Sequence, residues 1–415
     1  MTDKRKVPEI RFEGFDGEWE EQHIGDVIED YIEKTIIQNQ YPILTSSQQF
    51  GVVLQEHYFA NRQVTTNKNI GYFVLPKGHF TYRSRSDTDL FVFNRNDIID
   101  NGVISYFYPV FNVKDTDSDF FLRRINHGTK QQLAMAAEGT GQRVLSHSKF
   151  KKMALFFPLI EEQSQIGTFF QNLDSLITLH QRKYDKLTTV KKAMLEKMFP
   201  KDGADVPEIR FKGFTEKWER RTLGEITEVL DGDRGKNYPN ENEFQERGHT
   251  LFLSAANVTK EGFVFENCQY ITEEKSNSLG NGKLNTNDIL LTSRGSIGHI
   301  AWYNHEIQMQ VPFARINSGM LILRSKHMVK PCFITHFLKS PFGKYQIDFI
   351  SFGSAQPQLT KKDVSTYTLS FPVDHGEQSK IGSFFNNLDS LITLQQRELD
   401  KLKNIKKACL ERMFV

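Results

Sequence analysis

Several short polar runs in this sequence have the residue types that read base edges in DNA. Arginine can bond guanine through two hydrogen bonds, glutamine or asparagine can do the same with adenine, and serine, threonine or lysine suit phosphates. Such runs include TYRSRS at 81–86, DGDRGKNY at 231–238 and TSRGSIG at 292–298. A plain solvated loop is the alternative interpretation of each run. The candidates for DNA contact are Ser47, Gln48, Tyr82, Arg83, Arg85, Gln142, Arg143, Arg234, Lys236, Asn257, Ser293, Arg294, Gln356 and Gln358.

Motifs for catalysis are missing from the sequence. It has neither an Asn/Asp-Pro-Pro-Tyr/Phe motif for adenine methylation nor a glycine-rich methyl-donor loop, and it has no G-x-x-x-x-G-K-S/T phosphate loop. DGDRGK at 231–236 and SLGNGK at 278–283 have the wrong spacing. The three cysteines (Cys268, Cys332 and Cys409) are far apart and form no metal-type pair. We therefore expect reduced thiols, no metal, no cofactor and no catalytic role.

The net charge of +2 excludes a uniformly basic coat, so any DNA-binding surface must be local. The amino-terminal residues lack the apolar region of a signal peptide, and no run approaches the roughly 20 apolar residues of a membrane span. We expect a cytoplasmic protein without membrane contact.

The chain contains a tandem repeat. VPEIRF at 7–12 recurs at 206–211, and residues 161–199 match residues 376–414 at 27 of 39 positions. The first motif recurs after 199 residues and the long segment after 215, so the second of the two intervening modules is longer by 16. The long segments stayed alike while the modules diverged, which indicates a constant frame around two variable parts. Uneven drift after a recent duplication is the alternative.

The repeated long segment has helical periodicity. Its apolar residues recur every three or four positions, no proline interrupts it, and a lysine pair near its end suits the negative end of a helix dipole. A stripe of this length needs a partner, and we expect the two copies to pair as antiparallel helices. Pairing between two chains is the alternative. The predicted packing residues are Ile166, Phe170, Leu173, Ile177, Leu187, Met194, Ile381, Phe385, Leu388, Ile392 and Leu402.

The modules between the long segments have the short strands and frequent turns of mixed α/β domains. Strand-like runs are 71–75, 89–94, 287–293 and 319–323. Residues 139–158 align with 353–372 without gaps, each copy having a small-residue turn with a glutamine before a short strand. We predict an α+β chain with four parts, namely a recognition domain at 1–160, a helix at 161–200, a second recognition domain at 201–375 and a second helix at 376–415.

These features together resemble the specificity subunits of Type I restriction-modification enzymes. The resemblance rests on VPEIRFxGF…W at each module start, NDILLTSRGSIG, GSAQPQLTKKD, and EQSxIGxFFxNLDSLITLxQR in both helices, and it covers essentially the whole chain. The first module departs from the pattern, because KGHFTYRSRS stands where the second module has TNDILLTSRGSIG. This departure leaves open which residue matches Arg294, the candidates being Tyr82, Arg83 and Arg85.

The resemblance implies a non-catalytic subunit with two target recognition domains, each reading one half of a bipartite site in double-stranded DNA. The paired helices would hold the domains apart with pseudo-two-fold symmetry and dock two methyltransferase subunits, through which restriction and translocase subunits would join. An autonomous sequence-specific DNA binder and a coiled-coil scaffold are the alternatives. Exchange of a module would change the DNA target under the first hypothesis and leave a scaffold intact.

Overall fold

The structure is a computed structural model that describes residues 6–59, 68–201, 203–351 and 358–415, with the backbone alone at 350 and 351. The chain forms two compact units. Unit 1 contains residues 1–181 and 396–415, and unit 2 contains residues 182–395. Each unit therefore takes in one module and parts of both long helices. The predicted division at residues 160, 200 and 375 describes the sequence repeat. The boundaries of the compact units fall elsewhere, inside the two long helices, so the four-part division stays a prediction.

Unit 1 is built on a four-stranded antiparallel sheet in the order β2-β10-β6-β8, with smaller strand pairs around it. Its strands are β1 Glu20–His23, β2 Ile28–Asp30, β3 Leu44–Ser47, β4 Gly51–Leu54, β5 Phe73–Pro76, β6 Phe80–Tyr82, β7 Arg85–Ser86, β8 Phe93–Arg95, β9 Asn101–Ile104, β10 Val110–Val113, β11 Arg143–Val144 and β12 Ala154–Phe157. The helices that begin in this unit are α1 Ile24–Val27, α2 Gln55–Tyr58, α3 Ser118–Asn126, α4 Lys130–Ala136, α5 His147–Lys151 and the long α6 Ile160–Lys197.

Unit 2 repeats this plan with the sheet order β14-β20-β17-β18. Its strands are β13 Glu219–Thr222, β14 Thr227–Asp231, β15 Thr250–Leu253, β16 Tyr270–Ile271, β17 Asp288–Thr292, β18 Ile300–Tyr303, β19 Ala314–Ile316, β20 Met320–Ser325 and β21 Thr368–Phe371. Its α-helices are α7 Leu223–Ile226, α8 Glu273–Ser278, α9 His305–Gln310, α10 Pro331–Lys339, α11 Pro341–Ser351, α12 Lys361–Ser365 and the long α13 His375–Arg412; short 3₁₀ turns occupy Glu241–Glu243 and Ala255–Asn257. The four predicted strand runs each overlap a strand, and the α+β class is confirmed.

Within each unit, segments of α6 and α13 run antiparallel. In unit 1 the ring of Phe170 stacks on that of Phe414 at 5.9 Å, and Asp174 forms an ion pair with Lys406. In unit 2 the ring of Phe385 stacks on that of Phe199 at 5.8 Å, and Asp389 forms an ion pair with Lys191. Both sets are related by the same shift of 215 residues, so the predicted antiparallel pairing is confirmed from contacts inside each unit.

The predicted packing residues differ in depth of burial. Ile166, Phe170 and Leu173 are buried, as are their repeat partners Ile381, Phe385 and Leu388, because the start of each helix also packs against the module that precedes it. The half-buried ones include four residues nearer the middle of the helices, namely Ile177, Leu187, Ile392 and Leu402, and Met194 in the last turn of α6. Leu399 was missed by the sequence analysis, although it is only 1% exposed.

Each long helix begins with a buried glutamate that binds an arginine of the VPEIRF motif. Arg11 donates two hydrogen bonds to Glu162, at 2.8 and 2.7 Å, and Arg210 donates two to Glu377, at 2.6 and 2.8 Å. The two carboxylates are 1% and 0% exposed. This pairing explains why the VPEIRF motif and the helix start are repeated together.

The glutamine after each glutamate joins two more segments to the helix start. The Gln163 amide donates to the Pro158 carbonyl at 2.9 Å and accepts from the Asp117 backbone N–H at 3.0 Å. Gln378 makes the equivalent bonds with Pro372, at 2.8 Å, and with Lys330, at 2.7 Å. The EQ dipeptide is thus a structural junction in both units.

Loss of either buried ion pair should destabilise its unit. Arg11→Ala or Arg210→Ala leaves a buried carboxylate without its partner, which costs about 3–5 kcal/mol in the free energy of unfolding. Lys6→Ala is the matched control, since it breaks the exposed pair with Glu18 and should cost less than about 1 kcal/mol. Chemical denaturation of the full chain measures the difference. An Arg11→Ala variant as stable as Lys6→Ala would contradict the role of the ion pair.

Candidate nucleic-acid interface

Five of the predicted contact residues of unit 1 lie around one depression. Gln48, Arg83, Arg85 and Gln142 are exposed there, and Ser47 lies at its floor. The part of the depression next to Gln142 encloses about 420 Å³ and is also lined by aromatic side chains, namely Phe59, Phe107 and Tyr108. Cationic, amide and aromatic groups therefore face a common space, which is a surface suited to a polar ligand with flat rings.

The guanidinium of Arg85 has a defined position in this depression. It lies over the ring of Phe107, 4.5 Å from the ring centre, where a cation–π interaction holds it. Gln142 is oriented by a hydrogen bond from its amide nitrogen to Asp87 at 3.1 Å. The sequence analysis did not indicate Phe107, because nothing local to it shows that Arg85 will lie above its ring.

Three predicted contact residues of unit 1 have structural roles. Tyr82 is fully buried in the aromatic core, its hydroxyl donates to the Leu145 carbonyl at 3.3 Å, and burial raises its pKa. The Ser47 hydroxyl accepts from the backbone N–H groups of Gln49 and Phe50. The guanidinium of Arg143 donates to the carbonyls of Ala134, Ala137 and Gly139 and pairs with Asp89. Their polar groups are occupied within the fold, so we withdraw them as base-reading candidates.

In unit 2 three segments meet at the turn 317–319. The backbone N–H groups of Ser293 and Arg294 donate to the Gly319 carbonyl at 2.9 and 3.2 Å. The guanidinium of Arg234 donates to the Ser318 carbonyl at 3.2 Å. Leu359, next to Gln358, donates its N–H to the Ser293 carbonyl at 3.0 Å. The structure thus brings together the predicted residues Arg234, Arg294 and Gln358 within one unit.

The loop that carries Arg294 is tightly constrained. The Thr292 hydroxyl donates to the Ser296 carbonyl and accepts from the His299 N–H at 2.9 Å. Gly295 and Gly298 have φ angles of +71° and +85°, a region that glycine adopts without strain. The sequence TSRGSIG therefore forms a rigid turn that exposes Arg294.

The neighbouring loop 231–238 is held by the carboxylate of Asp233. This carboxylate accepts hydrogen bonds from the backbone N–H groups of Gly235 and Gly280, both at 2.6 Å, and these bonds lower its pKa. Arg234 and Lys236 are exposed on either side of Gly235. Their contact with DNA stays a prediction.

Two other predicted residues of unit 2 are buried. Asn257 is 5% exposed, and its side-chain oxygen accepts from the Ser254 backbone N–H at 3.0 Å, which caps a short turn. Ser293 has no exposed surface. The Asn257 side chain therefore shapes a turn, and neither side chain faces solvent. Gln356 lies outside the described residues.

A basic cavity of about 360 Å³ was not indicated by the sequence. It lies in unit 2, next to the residues that follow the Arg294 loop. Its charged lining consists of Lys191, Lys260, Lys339, Lys344 and Asp348, with His299 beside them. Burial lowers the pKa of Lys339, and the charges of Lys191 and Lys344 lower it further. The excess of lysines can bind an anionic group such as a phosphate, and no motif reveals it because its members come from four distant segments.

Comparison with known proteins identifies the fold and the family. The family model described as the Type I restriction modification DNA specificity domain matches twice, at residues 16–189 and 215–404. The crystal structure of the S subunit of a Type I restriction-modification system from M. genitalium superposes with a TM-score of 0.57 at 15% identity, covering 99% of both chains. At this identity the likeness shows the fold alone.

Two curated relatives come from Methanocaldococcus jannaschii. The Type I restriction enzyme MjaVIII specificity subunit is 25% identical over 66% of this chain, and the putative type I restriction enzyme MjaX specificity subunit is 22% identical over 66%. The matches span 64% and 61% of those relatives' own length, which is less than two thirds. The two family-model matches cover most of the chain, one in each repeat, and the chain therefore belongs to the family of Type I restriction-modification DNA specificity domains.

Proposed function

We propose that this chain is the specificity subunit of a Type I restriction-modification complex and that each unit reads one half of a bipartite DNA site. The observation that carries the proposal is a similar arrangement in both units, where exposed arginine side chains lie beside one end of a sheet with the same strand order. A glutamine accompanies them in each unit, exposed at Gln142 and half-buried at Gln358. Side chains of these types recognise bases in the major groove. The chain contributes recognition and no catalytic step, and the cytoplasmic location stays a prediction.

The two units should recognise their half-sites independently of each other. Replacing residues 207–375 with the corresponding module of a relative should change one half of the methylated site and leave the other half unaltered, because the exposed loops of a unit come from its own module. Modified adenines are mapped by long-read sequencing after co-expression with the methyltransferase partner. The reciprocal exchange of residues 8–160 is the control and should change only the opposite half. A change in both halves after either exchange would contradict the proposal.

The long helices provide the surface that we assign to methyltransferase subunits. The run LDSLITL is identical at 173–179 and 388–394, and it includes two leucines in each copy that remain exposed. Leu176 and Leu179 are 45% and 47% exposed in unit 1, and Leu391 and Leu394 are 46% and 51% exposed in unit 2. Identical apolar side chains retained at exposed positions favour a protein partner over solvent.

Two copies of this leucine pair correspond to two methyltransferase subunits, one for each copy. Restriction and translocase subunits would then join through the methyltransferase subunits. The double variant Leu176→Asp with Leu179→Asp should reduce the complex from two bound methyltransferase subunits to one. Binding would have to bury the carboxylates of the two new aspartates without a partner of opposite charge.

The bound mass is measured by light scattering during size-exclusion chromatography. Leu391→Asp with Leu394→Asp is the matched second variant and should have the same effect. Thr188→Asp, at another exposed helix position, is the control and should keep both subunits. Retention of two methyltransferase subunits by both double variants would exclude the leucine pairs as the docking surface.

A further inference from the structure

We propose that Arg85 and Arg294 are equivalent residues in the two units and that each reads one guanine in its own half-site. The inference rests on the proposed recognition function and assigns its specificity-determining residues. Sequence alignment leaves this correspondence open, because the first module lacks the TSRGSIG pattern. The strand registers and the loop hydrogen bonds of the two units resolve it.

The first argument is the register of the main sheets. Backbone N–H groups of Lys114 and Lys326 donate to the Val27 and Ile226 carbonyls, at 2.8 and 2.9 Å. Val27 and Ile226 are related by the 199-residue shift of the opening motif. Strands β10 and β20 are therefore aligned, so that Phe111, three residues before Lys114, corresponds to Leu323.

The strands that carry the arginine loops pair with these two positions. Phe80 of β6 lies opposite Phe111, and Ile289 of β17 lies opposite Leu323. Arg85 follows Phe80 by five residues, and Arg294 follows Ile289 by the same number. Arg85 is therefore the counterpart of Arg294, whereas Arg83 corresponds to Thr292.

The second argument is a hydrogen bond between each loop and the returning segment. The Leu145 N–H donates to the Ser84 carbonyl at 2.9 Å, and the Leu359 N–H donates to the Ser293 carbonyl at 3.0 Å. Leu145 and Leu359 are already partners in the gap-free alignment of 139–158 with 353–372. This bond makes Ser84 the counterpart of Ser293 and so makes the next residues, Arg85 and Arg294, counterparts as well.

The third argument is the carbonyl to which each serine binds. The Ser84 hydroxyl donates to the Phe107 carbonyl at 2.8 Å, and the Ser293 backbone N–H donates to the Gly319 carbonyl at 2.9 Å. Phe107 lies four residues before Phe111, and Gly319 lies four residues before Leu323, so the two carbonyls are at equivalent positions. The first two sets of contacts thus assign the same pair independently, and the third agrees with them although the donor is a hydroxyl in Ser84 and a backbone N–H in Ser293.

Both arginines are exposed, Arg85 at the start of the short strand β7 and Arg294 in the turn after β17. The serine before each arginine is hydrogen-bonded to two neighbouring segments. In unit 1 the ring of Phe107 supports the guanidinium, and in unit 2 the equivalent Gly319 leaves space beside Arg294. A guanidinium presented in this way can donate two hydrogen bonds to the O6 and N7 atoms of guanine, the commonest specific contact of arginine in the major groove. We therefore assign one G·C pair in each half-site to this position.

The test uses the complex of the full chain with its methyltransferase and a library of DNA sites in which every specified base pair is varied. Arg85→Ala should lose a preference of about 5- to 150-fold for one G·C pair in the half-site of unit 1. Arg294→Ala should do the same in the half-site of unit 2. Lys114→Ala and Lys326→Ala are matched controls, because these lysines are exposed after the far ends of β10 and β20 and lose the same charge.

The outcomes separate this inference from the proposed function. A wild-type complex without a split DNA preference would overturn the recognition function itself. A second outcome is a split preference in the wild type, with variants whose affinity falls by the same factor for every sequence so that every base preference is kept. That outcome would assign the arginines to phosphates and overturn the inference. Loss of preference at an A·T pair, or in both half-sites at once, would overturn it too. Arg85→Lys and Arg294→Lys keep the positive charge, so they show whether any loss of affinity is due to charge alone.

Discussion

The rest of the structure depends on one interaction, the ion pair between a buried glutamate at the start of each long helix and an arginine of the VPEIRF motif. The glutamate carboxylate is held by an arginine of the module's opening motif, while the adjacent glutamine binds the segment that leads into the helix. A buried carboxylate is stable only when it is paired, so loss of the arginine would weaken the attachment of the opening motif to the helix start. This junction makes the frame rigid without constraining the sequence of the loops at the opposite end of the sheet.

The helix ends complete the same units. In unit 1, Met413 belongs to the buried core around Trp19, and the Arg412 carbonyl accepts hydrogen bonds from the backbone N–H groups of Glu9 and Ile10. In unit 2 the Lys197 carbonyl accepts from the N–H of Ile209. Each module is thus enclosed by the start of one long helix and the end of the other. The length of the helices, which the repeat preserves, belongs to the frame and is independent of what the loops read.

Much of the frame was predictable from the sequence, because repetition and helical periodicity are visible in it. The long helices and their antiparallel pairing follow from these two signals, and the α+β class follows from the short strand-like runs of the modules. The site was predictable only in part. Arg143, Ser47 and Asn257 have the residue types that read bases, yet their polar atoms bind the chain's own backbone. Residue type alone does not distinguish these roles, since the partners are backbone groups, N–H for Ser47 and Asn257 and carbonyls for Arg143, that meet the side chains only in the folded chain. The pairing of Arg85 with Arg294 required strand registers that no motif contains.

The measurement that tests the central claim most directly is the methylome of cells that express this chain with its methyltransferase partner. Two units that each read half of a site predict a split motif, with two short specified ends around an unspecified gap, and predict that this methylation disappears when the chain is omitted. Methylation at one continuous motif, or methylation that persists without the chain, would contradict the account.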